Sequence, residues 1–404
     1  MDEKNEAFAR LLTLFMRRIR ASAAGVAAEI GISRESVNNW RNGISLPSSK
    51  NRDRLIACAA YLRLTEAETN HLFRAAGFEP EYPLQDVGNG VGPFALFIDQ
   101  LFERLGQLRP YPIAMLLSQA HWGQPPFRNE LLGKARSLYG EAAVLHVQPP
   151  FSVSTVAADY FAAIGRQCGF SGITSDYEFE AALEARLTAG ERLFVLVSRF
   201  EQGTPALRET LAGILRSLSE MHSGRLHLLL CGSEALADLK YRSGDLSLLN
   251  IAQVSHWPEL ELADLRLLAA RMNLDVPPRE AVLTELLALC GGHPALAEEG
   301  LQWLADNPAG SAEALRALQP LLAQSGRLWQ AFLPMTASSA GRDRLRELLD
   351  CEDLGRARPY LPDGDLRRLF WNNLIAARGP AEEARLCWRC EVVRKAGWQV
   401  LESC

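Results

Sequence analysis

Arg34, Glu35, Asn38, Asn39 and Arg41 fall in one short stretch between Ser33 and Asn42-Gly43. These are side-chain types that hydrogen-bond to nucleobase edges. A guanidinium presents donors to guanine O6 and N7, a carboxamide matches adenine N6 and N7, and a carboxylate accepts from cytosine N4. Val37 and Trp40 stand three residues apart among them, so a helix here buries one face and turns the polar set outward.

A second set follows the apolar run Pro112 to Leu117. A phosphate-cradling loop at such a place has the pattern G-x-x-x-x-G-K-[ST], with glycines admitting backbone N–H groups, a lysine neutralising charge and a hydroxyl holding magnesium. Here the matching residues are Ser118-Gln-Ala-His-Trp-Gly-Gln-Pro125. Gly123 is retained, Gln124 stands at the lysine position, and Pro125, which lacks a backbone donor, stands at the hydroxyl position. The apolar run Leu193 to Val197 ends in Ser198-Arg199-Phe200-Glu201 rather than in paired acids, and Arg199 would repel a metal ion. A further apolar run leads into Cys231-Gly-Ser233. Ser118, Gly123, Gln124, Pro125, Ser198, Arg199, Glu201 and Ser233, with His293 farther on, read as a vestigial nucleotide cleft. The expectation is no catalytic residue, no metal and no cofactor, with ATP binding possible but not favoured.

The elements that must carry these groups follow from periodicity. Phe8, Leu11, Leu12, Phe15, Met16 and Ile19 recur at helical spacing and predict a helix over 5–20. A short helix over 23–30 ends at Gly31, and Ser33 caps a third, with Glu35 in its first turn. Leu55, Ile56, Ala59 and Leu62 give a fourth, and Thr65 with Glu68 forms a capping box opening a fifth that closes at Gly77. Residues 79–93, rich in proline, glycine and acid, read as a linker. Beyond it, strands over 112–117, 143–147, 193–197, 225–230 and 253–257 are separated by helices over 94–105, 127–139, 155–168, 177–189 and 205–221. That is the pattern of a parallel sheet covered by helices. A helical region over 262–305 comes next, and the last part runs helix, strand, turn, strand, helix.

The 404 residues are 48% hydrophobic and 23% charged, a globular composition. The net charge of −5 hides an asymmetry: from Arg10 to Arg54 nine basic residues face three acidic ones. The front of the chain therefore suits a polyanion and the remainder does not. No apolar run is long enough for a membrane helix, the opening Asp2, Glu3 and Glu6 are unlike a secretory leader, and eight scattered cysteines read as reduced. A cytoplasmic protein, nucleoid-associated when bound to DNA, is expected. Cys387-x-x-Cys390 lacks the second ligand pair a zinc site needs and reads as packing. His121 follows the first strand and His293 lies in the lid, so both fall toward the cleft, which reads as coincidence rather than as a site, and Trp122 reads as an aromatic plug or a base-stacking platform. Arg378, Arg385, Arg389, Arg394 and Lys395 make the C-terminal part mildly basic.

The stretch from Gly25 to Gly43, followed by Leu46-Pro47, resembles the XRE or lambda-repressor-like helix-turn-helix family. The resemblance implies a recognition helix in the major groove, with Arg34, Glu35 and Asn39 reading bases and Arg17, Arg18, Ser36, Asn38, Arg41, Lys50 and Arg52 on phosphates. A bundle making protein contacts would share the same periodicity. Cys290-Gly-Gly-His-Pro-Ala-Leu296 resembles the lid motif of AAA-like and STAND-type P-loop ATPases, which often carry a winged helix after it. The chain is thus expected to be multidomain: a helix-turn-helix domain over 1–78, a linker over 79–93, a degenerate AAA-like α/β domain over 94–260, a helical lid over 261–308 and a winged-helix-like domain over 309–404. The function expected is a sequence-specific DNA-binding transcription regulator with a catalytically inactive body. The expected partners are double-stranded DNA, a second copy in a homodimer or higher oligomer, and a protein docked on the AAA-like or winged-helix part, with no membrane. A STAND-type switch with unorthodox nucleotide binding and a DNA-tethered adaptor of a transposition or defence system remain as alternatives.

Overall fold

The computed structural model describes residues 3–19, 21–62, 64, 69, 72–73, 75–78, 92–121, 125–272, 278–307, 312–380 and 382–404. Contacts divide the chain into two units, Met1–Gly90 and Val91–Cys404. The expected capping box at Thr65 and Glu68, almost all of the expected linker, and Trp122, Gly123 and Gln124 lie outside the described residues.

In the first unit, helices α1 (Glu3–Arg18), α2 (Ala23–Ile30), α3 (Arg34–Arg41) and α4 (Arg52–Tyr61) enclose an apolar core. The amphipathic spacing read from α1 places Phe8, Leu12, Phe15 and Met16 inside, where the Phe8 ring meets Trp40 of α3 edge-on at 6.4 Å. Ser22 and Ser33 cap α2 and α3 by accepting the N–H groups of Gly25 and Ser36. Gly31 turns the chain between them at φ +66°, a left-handed conformation in which glycine carries no Cβ penalty.

The second unit is built on a five-stranded, all-parallel sheet in the order β2-β3-β4-β1-β5. Its strands are β1 (Ile113–Leu117), β2 (Val144–Val147), β3 (Leu193–Ser198), β4 (Leu226–Gly232) and β5 (Gln253–His256). Because parallel strands need crossovers, helices cover both faces, and the central strands read as continuous apolar runs. Alternate residues serve different cores. Leu193, Val195 and Val197 of β3 face a core formed with the helices Ala157–Gln167, Asp176–Thr188 and Pro205–Met221. Phe194 and Leu196 face the other way, into a core shared with the helices Ala95–Gln107 and Pro125–Tyr139.

That second core continues without a break through the helices Leu262–Arg271, Glu280–Cys290 and Pro294–Asp306 and into the C-terminal residues. There, β6 (Asp353–Arg356), β7 (Ile375–Arg378) and β8 (Arg385–Trp388) form an antiparallel sheet in the order β6-β8-β7. The helix Gly364–Trp371 lies between β6 and β7, and Glu391–Glu402 closes the chain. Strand β6 is absent from the sequence reading: its four residues, Asp-Leu-Gly-Arg, hold one apolar side chain and no alternation.

Gly291, at the end of the helix Glu280–Cys290, has φ +54°, and a Cβ there would overlap the Arg389 carbonyl oxygen. Both effects oppose a side chain. Gly291→Ala is expected to lower stability by roughly 1–3 kcal/mol, read as a lower urea midpoint at unchanged slope. An unchanged midpoint would show that this close approach carries no constraint.

Candidate functional site

In the first unit α3 presents its predicted polar face. Val37 and Trp40 are buried, Arg34 and Glu35 are exposed, and Ser36, Asn38, Asn39 and Arg41 are half-buried. Ser36 also shares its hydroxyl with Ser33 at 2.9 Å, so its side chain already serves the helix start. Arg10, Arg17 and Arg41 line one open groove of about 440 Å³ between α1 and the end of α3, together with Asn42. Arg17 and Arg41 belong to the expected phosphate set; Arg10 and Asn42 were missed. The signal for Arg10 was its position, seven residues and two helical turns before Arg17. Lys50 is exposed in a short turn before α4, and Arg52, in the first turn of α4, lies over the Phe73 ring at 5.5 Å; neither lines the groove. The side chain of Arg18 lies outside the described residues.

In the second unit the expected cleft residues gather at the carboxyl ends of the strands. Ser118 donates its N–H to the Gly232 carbonyl at 2.8 Å, and its hydroxyl accepts from the Trp257 indole at 3.1 Å. Ser198 is buried and shares a hydrogen bond of 2.8 Å with His146 Nε2. Arg199 is exposed at φ +56°. The Glu201 carboxyl is held above its ordinary range by burial, its Oε2 lies against Gly232, and that atom has no hydrogen-bond partner among the described residues. Ser233 is exposed just before the short helix Glu234–Asp238. Pro125 opens the helix Pro125–Tyr139. His293 caps Pro294–Asp306 by accepting the Leu296 N–H on Nδ1, and its ring does meet that of His121, at 5.3 Å. Burial, then Arg389, holds the His293 imidazole neutral, with Nε2 buried and unpartnered among the described residues. A Mg-nucleotide would need acids at the end of β3. Among the described residues Glu201 is the acid that follows β3, with its Oε2 against Gly232.

Sequence reasoning missed what closes this crevice. The segment 370–375 clasps the loop after β1: Ala120 donates to the Trp371 carbonyl at 2.8 Å, Asn373 donates to the Ala120 carbonyl at 3.0 Å, and Gln119 donates to the carbonyls of Phe370 and Ile375 at 2.7 and 3.2 Å. Arg389, 2% exposed, donates to Asn373 O at 3.1 Å, Gln119 Oε1 at 2.9 Å and Glu259 Oε1 at 3.3 Å. The sequence showed Arg389 only as one of five basic residues in the C-terminal part. Cys387 and Cys390 are half-buried, unbridged thiols, Cys390 at the start of the closing helix.

The parallel five-stranded sheet and its helices fit a P-loop AAA-like domain. No protein-family model and no curated protein matches the chain. Solved structures do. The ORC2 protein of Aeropyrum pernix, in ADPNP and ADP complexes, is 13% identical over 79% of this chain and 98% of that one, with a TM-score of 0.43. A Walker-type ATPase of Pyrococcus abyssi is 16% identical over 75% and 95%, at 0.41. The RuvB Holliday junction branch migration motor of Thermotoga maritima is 17% identical over 66% and 92%, at 0.29. The expectation of a transcription regulator with a catalytically inactive body is corrected here: the similar structures are a nucleotide-bound ORC2 protein, a Walker-type ATPase and a branch migration motor. Among the described residues no helix is long and apolar enough to cross a membrane.

Half-buried His146, beside Ser198, and buried His227, at the opposite end of the sheet, are both neutral near pH 7. Burial, then Arg128 and Arg136, pulls His146 down to about 4, and burial, then Arg192, does the same to His227. Between pH about 6.5 and about 4 the unfolded chain binds protons that the folded chain refuses, so stability rises with pH across that window and is lost as pH falls. Urea midpoints are expected to fall from pH 7 to pH 4.5, and His146→Gln to flatten part of that slope. A variant with the full wild-type slope would remove His146 from the acid response.

Proposed function

We propose that this chain binds double-stranded DNA through its first unit, which acts as a helix-turn-helix module attached to an AAA-like body. One observation carries the reading: the outward face of α3 offers Arg34, Glu35, Asn38 and Asn39, while Arg10, Arg17 and Arg41 line a groove reaching the end of the same helix. The first group suits base edges and the second suits phosphates. The left-handed turn at Gly31 and the serine caps at the starts of α2 and α3 support this reading, in which such a helix enters the major groove. A single module of this kind reads one half-site, so a pair of copies on sites about 34 Å apart completes the contact.

In the second unit, the order of helix, strand, helix, two strands and helix, with the sheet β6-β8-β7, supports a winged-helix reading of the C-terminal part. The helices 262–306, with Cys290-Gly-Gly-His293 at their turn, support a lid.

Selection of bound duplexes from a random pool should yield a defined motif. Arg34→Ala with Asn39→Ala is expected to lose preference for it by 10-fold or more while retaining salt-dependent background binding. Arg10→Gln and Arg17→Gln should each weaken all duplexes alike and lower the slope of log K against log salt by roughly one. Undiminished preference in the double variant would sink the reading.

A further inference from the structure

Beside the clasp lies a cavity of about 330 Å³, within the size range of small-molecule sites. It opens at the carboxyl ends of β1 and β5, where ligands of parallel sheets bind, and the C-terminal sheet roofs it. Leu117 and His256 come from those strands, and Ala377 and Leu386 from β7 and β8.

Two features describe what fits. The first is aromatic: the rings of His256 and Phe370 stand 6.2 Å apart, those of Phe370 and Trp371 5.3 Å apart, and Tyr360 and Trp257 complete the wall. The second is charge. Arg358 and Arg389 line the cavity and Glu259 is its carboxylate. That carboxylate is already shared, by Arg389 at 3.3 Å and Arg378 at 3.7 Å. Arg358 is exposed and has no ion-pair partner among the described residues. Arg389 is buried, and its five N–H groups meet four acceptors among the described residues: Asn373 O, Glu259 Oε1, Gly291 O and Gln119 Oε1. Two guanidinium groups, of which Arg389 is already met, and one carboxylate, already paired, thus line a space walled by rings.

We propose that this cavity is a binding site for a small aromatic carboxylate, its ring against His256, Phe370 and Trp371 and its anion on Arg358. A guanidinium pairs with a carboxylate through parallel N–H donors, and the enclosed volume suits a ligand of one or two rings. Such a ligand would touch the loop after β1, the connection from β5 to the lid and the C-terminal sheet together.

The full chain is titrated calorimetrically with 2-naphthoate, with its neutral isostere 2-naphthamide, and with ADP and magnesium. Saturable binding of the acid, about 10-fold or more tighter than the amide, is expected. Arg358→Gln, an exposed and unpaired position, should weaken the acid by about 10-fold and leave the amide unchanged. Ala377→Trp should fill the space and abolish both. No saturable binding of the acid, equal affinity for acid and amide, or full binding by Ala377→Trp would each overturn the proposal. So would displacement of the acid by ADP at lower concentration, which would make the cavity a nucleotide seat. Loss of DNA preference in the α3 variant bears on none of these readouts, so the two proposals fail separately.

Discussion

A guanidinium almost sealed from water must be met by acceptors, because an unpaired buried charge costs several kcal/mol. The acceptors that meet Arg389 come from the loop after β1, the connection behind β5, the turn at Gly291 and the strand entry at Asn373. Each of those segments is thereby fixed against the others. The close passage of Gly291 under the Arg389 carbonyl, the left-handed Asn373 at φ +65° and the main-chain clasp on Ala120 are parts of one arrangement around one cation. The apolar core that runs from the sheet into the C-terminal helices supplies most of the burial, but it is non-directional. The polar knot decides register.

Much of the architecture was legible because it rests on local rules. The sequence placed each of the five parallel strands within two residues of its observed bounds, and β1, β3 and β4 are apolar runs bounded by turn residues. Helix α2, with its stop at Gly31, and helix α3, with its cap at Ser33, follow from chemistry confined to a few neighbours. Strand β6 failed that test, since it is held by pairing with β8 and not by its own pattern.

The candidate sites were legible in proportion to how local they are. Arg34, Glu35 and Asn39 lie on one helix, and helical periodicity was enough to turn them outward. The groove joining Arg10 to Arg41 needs two helices to cross, and the crevice needs residues far apart in the chain. Nothing near Gln119 announces that its carboxamide will bridge Phe370, Ile375 and Arg389. What Ser118 to Pro125 lacks for a phosphate is written in its own residues, whereas the commitment of Gln119 and Ala120 to another part of the chain is not.

The bond between Arg389 and Gln119 spans 270 residues, and this has a bearing on biosynthesis. While the ribosome is still extending the chain, the sheet has every strand it needs, yet the loop after β1 has no clasp and Glu259 lacks its buried cation. For that interval the crevice stands unclasped and the core shared with the C-terminal helices is still incomplete.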